Sequence, residues 1–573
     1  MRRSSLVALI TLMTLITACA PGAPTPSQQG SSGSNQAGTP RVNRTLVIVG
    51  RGEPPSIAAR SLQPFSGSLA APIRLFNAML DYVDEKEVPQ PYLVEALPQL
   101  NSDTWRIFPD GRMETTHRLK PNLTWHDGKP LTADDFVFAW KVYAMPDLGS
   151  ASALPLSHIG EVTAPDPRTV LIRWKQPYAD ANALDLTFQA LPRHILEQPF
   201  EGADPQAIIN HPYWTVDYVG AGPYRIERWE PGTAIEGVAF AGHALGKPKI
   251  DRIRVIFMSD SNAAMASMIS GDAHYVSDFI LFYEDAHTLE QEWTARGSNG
   301  KVLYAPVLLR PTGIQFRPEY VNPKSLLDVR VRRAIANGMD APSAVEVTTG
   351  GKGLLTWSMT SPAASYYPVI ERTLVKNVYD PRLTARNLEE YGMVRGADGL
   401  FAHADGESFK VELATDGGTS NERQNALFVD SLRRAGIDAY GRVVPVAQLR
   451  DQQFRATMPA LNTGGVGGRP FSGLISSALP RPENRWSGNN RGGWTNPEVD
   501  RLWDAYLATP SPTERVQQIA RMEQILSEDV GFIQNFFDIV ANAHAGTLKG
   551  PIMRTTPDAG QGVLRVETWE WTS

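Results

Sequence analysis

Residues of the types that carry out catalysis stand close together at two places in the sequence. Glu197 lies three residues after His194, and Asp135 directly follows Asp134. The first pair lies in a helix-like run, and the second can neutralise the exposed N–H groups of a helix start, so both indicate structural roles. Neither His-Glu-x-x-His nor Gly-x-Ser-x-Gly occurs in the chain. We therefore expect no enzymatic activity, although a site assembled from distant residues would escape such a search.

A glycine-rich segment, Gly350 to Gly353, raises the alternative of a phosphate-binding loop. Such a loop needs a glycine at position 346 and a hydroxyl side chain at position 353, where this chain has Glu346 and Gly353. The segment is therefore interpreted as a turn. Because Cys19 is the only cysteine, metal sites built from several thiolates and an intrachain disulfide are excluded. We expect no cofactor and no metal.

The overall composition restricts the class of protein further. A chain of 573 residues exceeds what one hydrophobic core holds, so several lobes are expected. Its formal net charge is −6, and it has no long basic block. This balance argues against nucleic acid as a partner.

The N-terminal residues have the pattern of a bacterial lipoprotein signal. Arg2 and Arg3 precede an apolar run, Leu6 to Ile16, which is too short to span a bilayer of about 30 Å. The run ends in Leu-Ile-Thr-Ala before Cys19, which predicts residues 1–18 as a signal peptide, followed by cleavage and lipidation of Cys19. Residues 19–41 are rich in Pro, Gly and Ser and are predicted to be a flexible tether. The protein would then be extracytoplasmic and anchored to the cell membrane by acyl chains. A plain secretory signal is the alternative.

The segment from His117 to Trp140 combines a strand, a turn and a helix start. Residues 115–119 alternate between two faces and include β-friendly side chains, which predicts a strand. Asp127-Gly128 is typical of a tight turn, and Thr132 precedes a helix with an acidic first turn. The helix is predicted to bury one stripe of side chains, namely Phe136, Ala139, Trp140 and Tyr143.

Similar patterns predict an α/β arrangement for the rest of the chain. Strands are expected at 44–50, 224–229, 249–257 and 532–539, and helices at 261–271, at 328–340, after Asn496 and after Ser511. The 328–340 helix is expected to turn its arginines towards solvent or a neighbouring helix. Its predicted buried stripe consists of Val331, Ala334, Ile335 and Met339.

Four of these stretches, taken in order, resemble a known family. They are Leu119–Phe136 with its W-H-D-G-K-P-L-T-A-D-D-F run, Gly220–Trp229, Asp328–Asp340 and Trp494–Leu502. Their sequences and their order are similar to the family 5 (peptide/nickel-type) solute-binding proteins of ABC importers, from about Thr45 to the C-terminus. In that family the Trp-His-Asp motif, here Trp125 to Asp127, belongs to the scaffold and lies away from the ligand.

The resemblance implies an α/β fold of the periplasmic-binding-protein type (cluster C), with two lobes joined by hinge strands and an extra third domain. Lobe I would be discontinuous and consist of residues 42–85, 213–306 and 545–573. Residues 86–212 would form the small extra domain II, and residues 307–544 would form lobe III.

The resemblance also implies a function. The protein would be the lipid-anchored substrate-binding component of an ABC-type importer, which captures an oligopeptide-like solute between two closing lobes and delivers it to a permease. Its partners would be the solute, the permease subunits with their ATPase, and the membrane through Cys19, and we expect a monomer. Two alternatives remain open: the same receptor role for a glycan or another non-peptide organic solute, and a lipid-anchored envelope hydrolase or scaffold.

Ligand contacts are expected from aromatic and polar residues of lobe III and from the facing loop of lobe I. The candidates are Phe279, Phe282, Tyr283, Trp357, Arg469, Phe471, Trp486 and Trp494. An aromatic residue belongs to the core more often than to a pocket, because aromatic rings supply much of the apolar area that folding buries.

The resemblance bears on the identity of the ligand as well. Peptide-binding members of the family place an aspartate after an aromatic residue, in a loop that corresponds to the region near Asn462, where it pairs with the peptide's α-ammonium. Residues 461–471 contain no acid, and the next one is Glu483. Since a buried ammonium without a paired charge is unfavourable, either another carboxylate such as Asp278 substitutes or the ligand is not an ordinary free-amine peptide. Arg469 instead suits a carboxylate or a sugar hydroxyl. Oligopeptide stays the leading class.

Overall fold

The structure is a computed structural model that describes residues 44–58, 70–148, 154–202, 204–464, 470–554 and 562–572. Cys19, the predicted signal peptide and tether, and the candidate Arg469 lie outside the described residues. Within the described ranges, no helix is both long enough and apolar enough to cross a membrane.

The strands, in chain order, are β1 (Leu46–Gly50), β2 (Asp81–Val83), β3 (Pro89–Pro91), β4 (Trp105–Ile107), β5 (Met113–Arg118), β6 (Ile159–Asp166), β7 (Thr169–Trp174), β8 (Tyr224–Glu230), β9 (Ala234–Ala239), β10 (Arg252–Phe257), β11 (Tyr275–Phe282), β12 (Lys301–Ile314), β13 (Leu354–Leu355), β14 (Met393–Arg395), β15 (Phe401–His403), β16 (Lys410–Asp416), β17 (Asp438–Val444), β18 (Leu461–Thr463), β19 (Ile533–His544), β20 (Leu548–Lys549) and β21 (Glu570–Trp571).

The helices, in chain order, are α1 (Ala70–Phe76), α2 (Ala133–Tyr143), α3 (Arg193–Glu201), α4 (Pro205–Ile209), α5 (Ser261–Ser270), α6 (Tyr283–Ala295), α7 (Val329–Gly338), α8 (Ala341–Thr349), α9 (Tyr367–Glu371), α10 (Pro381–Tyr391), α11 (Thr419–Arg434), α12 (Val446–Leu449), α13 (Gln452–Ala456), α14 (Pro497–Ala508) and α15 (Pro512–Asp529).

Many of these strands join in one sheet of eleven strands. Its order is β17-β16-β18-β12-β19-β11-β1-β10-β9-β8, with β13 beside β19. We call the part with β1 and β8 to β11 the lobe I side, and the part with β16 to β18 the lobe III side. The two long strands between them, β12 and β19, are antiparallel to each other and are called the crossing strands.

The register of the sheet shows which way each side points. β12 begins with Lys301 beside His544 and reaches Thr312 beside Ile533. β18 is antiparallel to β12, so it runs back towards the lobe I side, and β16 is parallel to β18. β11 is antiparallel to β19 and parallel to β1, so both run towards the lobe III side. The carboxyl ends of the parallel strands on both sides therefore point at the middle of the crossing strands, where open α/β sheets bind ligands.

A separate antiparallel sheet, β4-β5-β7-β6, and helix α2 lie in the chain between β3 and β8. β5 and α2 are the strand and the helix that the sequence predicts around His117 and after Thr132. Asp135 Oδ2 accepts a hydrogen bond from the backbone N–H of Thr132 at 2.8 Å, so the acidic first turn serves to cap the helix. Phe136, Ala139 and Tyr143 of the predicted stripe are buried, and Trp140 is partly buried.

The Trp-His-Asp motif connects this region to the lobe I side. His126 Nδ1 accepts a hydrogen bond from the N–H of Gly220 at 3.2 Å, and its Nε2 lies 3.1 Å from the carbonyl oxygen of Gly222. Burial lowers the pKa of His126 to about 4, so the ring is neutral near pH 7. Glycine is required at position 222, because a Cβ there would lie 2.3 Å from the carbonyl carbon of Phe76. The motif is a structural link between two parts of the chain.

Helix α7 lies within the predicted 328–340 segment, and the side chain of Asp328 caps its start. All four residues of the predicted stripe are buried. Arg332 is buried as well, and its guanidinium pairs with Asp529 at the end of α15, with Nη2 and Oδ1 2.7 Å apart. Of the two expectations for this arginine, pairing with a neighbouring helix is therefore the one observed.

Candidate ligand-binding site

A cavity of about 160 Å³ lies on the lobe III side, at the carboxyl ends of β16 and β18. We call it the strand-end cavity. Two arginines, one aspartate and three amide side chains line it, together with glycine and apolar residues. The lining residues are Pro311, Gly313, Ile314, Gln315, Asp416, Arg455, Met458, Ala460, Asn462, Gly464, Asn489, Arg491, Gly492 and Phe532.

The strand register explains why Asp416 and Asn462 share this cavity. Ala414 of β16 lies beside Asn462 of β18, so Asp416 follows on the same face two residues later. The adjacent pair, Leu413 and Leu461, points to the other face of the sheet and is buried in a hydrophobic core. Alternation along two parallel strands thus assigns one face to the core and the other to the cavity.

The cavity holds two arginines and, among the described residues of its lining, one carboxylate, Asp416, whose charge acts on both of them. Burial is the main cause that lowers the pKa of Arg455 and of Arg491, the latter to about 10, and the charge of Arg455 adds to the effect on Arg491. In the described part of the chain, Asp416 forms no ion pair of 4.0 Å or less with either arginine. The Nε of Arg491 is buried, and no described residue accepts a hydrogen bond from it. The described lining therefore has two cations for one carboxylate.

The segment that carries Arg491 is held in place through its backbone. Arg317 donates from Nη2 to the carbonyl oxygen of Arg491 at 3.0 Å and from Nη1 to that of Pro480 at 3.1 Å. Asn490 donates to the carbonyl oxygen of Trp494 at 2.7 Å. The Arg491 side chain therefore starts from a fixed backbone, and a ligand does not have to order this segment.

Next to the cavity, a buried ion pair joins the two crossing strands. Arg310 of β12 and Asp538 of β19 have side chains that are 3% and 1% exposed, with Nη2 and Oδ2 2.7 Å apart. Arg310 also donates from Nη1 to Asn421 Oδ1 at 2.6 Å. Burial raises the pKa of Asp538, and the charge of Arg310 opposes that shift. Glu284 and Arg423 form a second, exposed ion pair between α6 and α11.

Three of the predicted ligand contacts lie around the lobe I end of the crossing strands. Phe279 and Phe282 pack against a small hydrophobic cluster, and the Arg310 guanidinium lies 5.1 Å from the ring centroid of Phe282. Tyr283 begins α6, and Lys352 Nζ lies 5.0 Å from its ring centroid. All three lie outside the described lining of the strand-end cavity.

The other described candidates, which lie between residues 357 and 494, are also outside the described cavity lining. Trp357 donates from Nε1 to the carbonyl oxygen of Asn377 at 3.2 Å. Phe471 and Trp494 are 4% and 3% exposed and belong to the hydrophobic core, whereas Trp486 is partly buried. A role in ligand binding stays a prediction for all seven described candidates.

Asp278, considered above as a substitute anchor, lies in an irregular part of β11 and not in the cavity lining. Its Oδ2 accepts a hydrogen bond from the backbone N–H of Ala71 at 3.3 Å, and burial raises its pKa to about 7. The carboxylate in the cavity is Asp416, which is not among the residues predicted from the sequence. An acid at the end of an apolar strand, directly before Gly417-Gly418, is the sequence signal that points to it.

The side chains of the cavity are suited to binding a solute. The described lining contains guanidinium, carboxylate and amide groups but no Ser, Cys, His, Lys or Tyr. A nucleophile next to a base is therefore not available within this lining. In the described ranges, no group of three or more His, Cys, Asp or Glu side chains is arranged to hold a metal ion.

Sequence comparison relates the chain to one family. The model of "Bacterial extracellular solute-binding proteins, family 5 Middle" matches residues 95–478. The oligopeptide-binding protein AppA of Bacillus subtilis (strain 168) is 26% identical over 433 residues, which are 74% of this chain and 73% of that protein. The dipeptide-binding protein of Escherichia coli (strain K12) is 22% identical over 374 residues, which are 62% of this chain and 64% of that protein.

Solved structures share the fold. NikZ from Campylobacter jejuni in complex with Ni(L-His) has a TM-score of 0.76 at 21% identity, covering 92% of this chain and 99% of that chain. The oligopeptide-binding protein from Thermus thermophilus complexed with a pentapeptide has a TM-score of 0.76 at 20% identity, covering 92% and 96%. These likenesses show that the α/β fold is the two-lobed fold that the sequence predicts.

Proposed function

This chain belongs to family 5 of the bacterial extracellular solute-binding proteins, and from that membership we propose that it is the lipid-anchored substrate-binding component of an ABC-type importer. It captures an oligopeptide-like solute between its two lobes and delivers the solute to a permease that an ATPase drives. The observation that carries this proposal is the strand-end cavity on the lobe III side, in a sheet whose parallel strands on both sides point towards the crossing strands.

An oligopeptide is the leading solute class, because two of the related proteins are an oligopeptide-binding protein and a dipeptide-binding protein. A glycan or another organic solute is the alternative, since residues 461–471 contain no acid to pair with a peptide's ammonium group. The related structure with Ni(L-His) also illustrates that the fold accommodates solutes other than peptides.

Capture requires that the solute contacts both sides of the sheet. Closure is a shift between open and closed populations, and moving it from 1:99 to 99:1 requires about 5.5 kcal/mol of preference for the closed state. A solute that binds only the lobe III side leaves that equilibrium unchanged, however tightly it binds. The proposal therefore predicts compaction on binding.

Calorimetry and small-angle scattering together test the receptor role. Free-amine peptides, their N-acetylated forms and a panel of oligosaccharides are titrated into the purified protein, and scattering is recorded at saturation. We expect one class to bind without chemical change and to reduce the radius of gyration. Formation of hydrolysis products would favour an envelope hydrolase, and binding without compaction would contradict capture between lobes.

The anchor needs a separate test in a bacterial host. The wild-type chain is expected to fractionate with the membrane and to carry the mass of a diacylglycerol on Cys19 after loss of residues 1–18. A Cys19→Ser variant is expected in the soluble extracytoplasmic fraction. Membrane association of that variant, or a wild-type mass without lipid, would contradict the anchor and leave the receptor role intact.

A further inference from the structure

Residues 178–185, which follow β7 in the chain, contact both sides of the large sheet, and we call them the bridging segment. At its first end, Asp180 Oδ1 accepts a hydrogen bond from Nη1 of Arg515 in α15 at 2.8 Å. The side chains of Asp180 and Arg515 are 12% and 18% exposed. Beside this pair, the backbone N–H of Ala179 donates to the carbonyl oxygen of Leu507 in α14 at 2.7 Å. The first end is therefore attached to α14 and α15.

The second end of the bridging segment is attached to the lobe I side. Arg74 of α1 donates from Nη1 and Nη2 to the two carboxylate oxygens of Asp185 at 3.1 and 2.7 Å. The backbone N–H groups of Leu184 and Asp185 donate to the buried carboxylate of Asp81, both at 2.9 Å. Helix α1 packs against β8 and β11, which belong to the lobe I side. A bidentate ion pair and a buried acceptor therefore hold this end.

Helices α14 and α15 belong to the lobe III side. Asp529 at the end of α15 pairs with Arg332 of α7 and accepts a hydrogen bond from Trp494 Nε1 at 2.6 Å. The apolar side of α7 packs in one hydrophobic core with Leu413 of β16 and Leu461 of β18. The bridging segment thus connects the two sides of the sheet at a second place, in addition to the crossing strands.

The bridging segment lies on the same face of the crossing strands as the strand-end cavity. Leu309 and Phe537 stand opposite each other in these strands and belong to the same hydrophobic core as Leu507, whereas Phe536 belongs to the core on the other face. Pro311 follows Leu309 at the alternate position, so it shares that face, and it lines the cavity. Separation of the two sides on the cavity face would therefore pull the bridging segment away from α14 and α15.

From these contacts we propose that the bridging segment holds the two lobes together on the cavity face and that the Asp180–Arg515 pair is the contact that breaks when they separate. The inference rests on the proposed receptor function, because it concerns how readily the lobes open to admit and release a solute. Asp180 and Asp185 are five residues apart, at most about 18 Å along an extended chain. The separation of Arg74 and Arg515 is therefore limited while both ion pairs persist.

Hydrogen exchange at the Ala179 amide reports the state of this contact directly, because the amide is bonded to Leu507 across it. Exchange is measured with residue resolution in the Cys19→Ser protein and in Arg515→Gln, Asp180→Asn and Arg521→Gln made on that background. Arg521 is the matched control, since its ion pair with Glu498 joins α15 to α14 within the lobe III side. The melting temperature of each protein shows that it is folded.

Two substitutions are needed at the ion pair, because Arg515 also lies 4.1 Å from the ring centroid of Tyr506 in α14. Arg515→Gln removes that contact as well, whereas Asp180→Asn removes only the charge on the bridging segment. Exchange at Ala179 should become about 10-fold faster in both, because the contact loses a hydrogen bond between charged groups. The Leu184 amide at the second end should keep its protection, and Arg521→Gln should match the background. Equal exchange at Ala179 in all four proteins, or equal acceleration at Leu184, would overturn the proposal.

Distances between spin labels show whether the lobes separate when the contact breaks. Labels are placed on cysteines at Thr233, in the exposed turn between β8 and β9, and at Val443, which is exposed on β17, the outer strand of the lobe III side. Pulsed electron paramagnetic resonance without solute should show more of the longer distances in Arg515→Gln and in Asp180→Asn than in the background or Arg521→Gln. Faster exchange at Ala179 with an unchanged distance distribution would overturn the role in lobe closure.

Tetra-alanine and the oligosaccharide panel, added to the labelled proteins, separate this inference from the receptor function. In the background protein we expect tetra-alanine to favour the shorter distances, and Arg515→Gln should need a higher concentration, because closure then proceeds without the bridge. If tetra-alanine closes every protein alike and the solute-free distances do not differ, the bridge is refuted and the receptor function stands. If the variants differ without solute but neither tetra-alanine nor any oligosaccharide changes the distances, the bridge stands and the receptor function fails.

Discussion

The crossing strands and the strand-end cavity both contain arginine side chains that are at least partly buried. The two regions differ in whether the arginine charge is paired with a carboxylate. At the crossing strands, Arg310 has Asp538 at 2.7 Å and Asn421 as a further acceptor. In the cavity, Arg455 and Arg491 have one carboxylate between them and no ion pair with it among the described residues. Burial alone therefore does not identify a binding site. What distinguishes the cavity is that its two arginines form no ion pair among the described residues.

The largest effect on stability is expected from removing Arg310 from its ion pair with Asp538. An Arg310→Met variant leaves Asp538 buried without its partner, which should lower the free energy of unfolding by about 3–5 kcal/mol. Denaturant unfolding followed by tryptophan fluorescence measures this loss. Arg423→Met is the matched control, because it breaks the exposed pair with Glu284 in the same part of the molecule, where an ion pair contributes little.

The pH dependence of this variant provides a second check. Burial already raises the pKa of Asp538, and loss of Arg310 raises it further. A carboxyl with a raised pKa in the folded protein is most favourable to folding when it is protonated, so the deficit of Arg310→Met should shrink as the pH falls. The double variant Arg310→Met/Asp538→Asn should recover part of the stability at neutral pH. A deficit that is equal at pH 5 and pH 8 would contradict an uncompensated carboxylate as its cause.

Asp278 on the lobe I side differs from both kinds of arginine, because it has no ion pair among the described residues and a carboxyl can take up a proton. Its pKa is raised by burial to about 7 in the folded protein, against about 3.9 in an unfolded chain. Its contribution to stability is therefore complete below about pH 4 and is lost as the pH rises from 4 through 7, by on the order of 4 kcal/mol. The difference in unfolding free energy between wild type and Asp278→Asn should move by that amount in favour of the variant between pH 4 and pH 8. A constant difference would contradict a raised pKa at Asp278.

The contrast between these regions also shows what could be predicted from the sequence. Helix starts were predictable because their contacts are local. Thr132, Asn496 and Ser511 stand next to the N–H groups of their own helices, and the structure has helices beginning directly after each of them. The apolar run that forms β1 is predictable in the same way, since a strand buried on both faces favours a continuous apolar sequence. β19 is also buried along its whole length, but it includes polar residues such as Asp538 that pair inside the sheet.

The cavity was not predictable in the same way, because its charged groups come from three separate segments. Asp416 ends β16, Arg455 lies in α13 and Arg491 precedes α14. Tertiary contacts, such as the pairing of β16 with β18 and the hydrogen bond from Arg317 to Arg491, place them around one space. The sequence instead favours aromatic residues as ligand contacts, and two of these, Phe471 and Trp494, are buried in the core. An aromatic side chain contributes to a core and to a pocket through the same apolar area, so residue type does not distinguish the two.

The smallest effect is expected on the stability of the ligand-free protein when Arg491 is replaced. This measurement distinguishes a role of Arg491 in binding from a role in folding. Arg491→Gln removes a partly buried charge that has no ion pair among the described residues, so the free energy of unfolding without ligand should stay within about 1 kcal/mol of the wild-type value or rise above it. Arg310→Met, also a loss of one arginine charge, should lie several kcal/mol below the wild type. Denaturant unfolding of both variants without added solute makes the comparison. If Arg491→Gln destabilised the protein as much as Arg310→Met does, Arg491 would be a structural residue, and the unmatched charge of the cavity would no longer indicate a ligand.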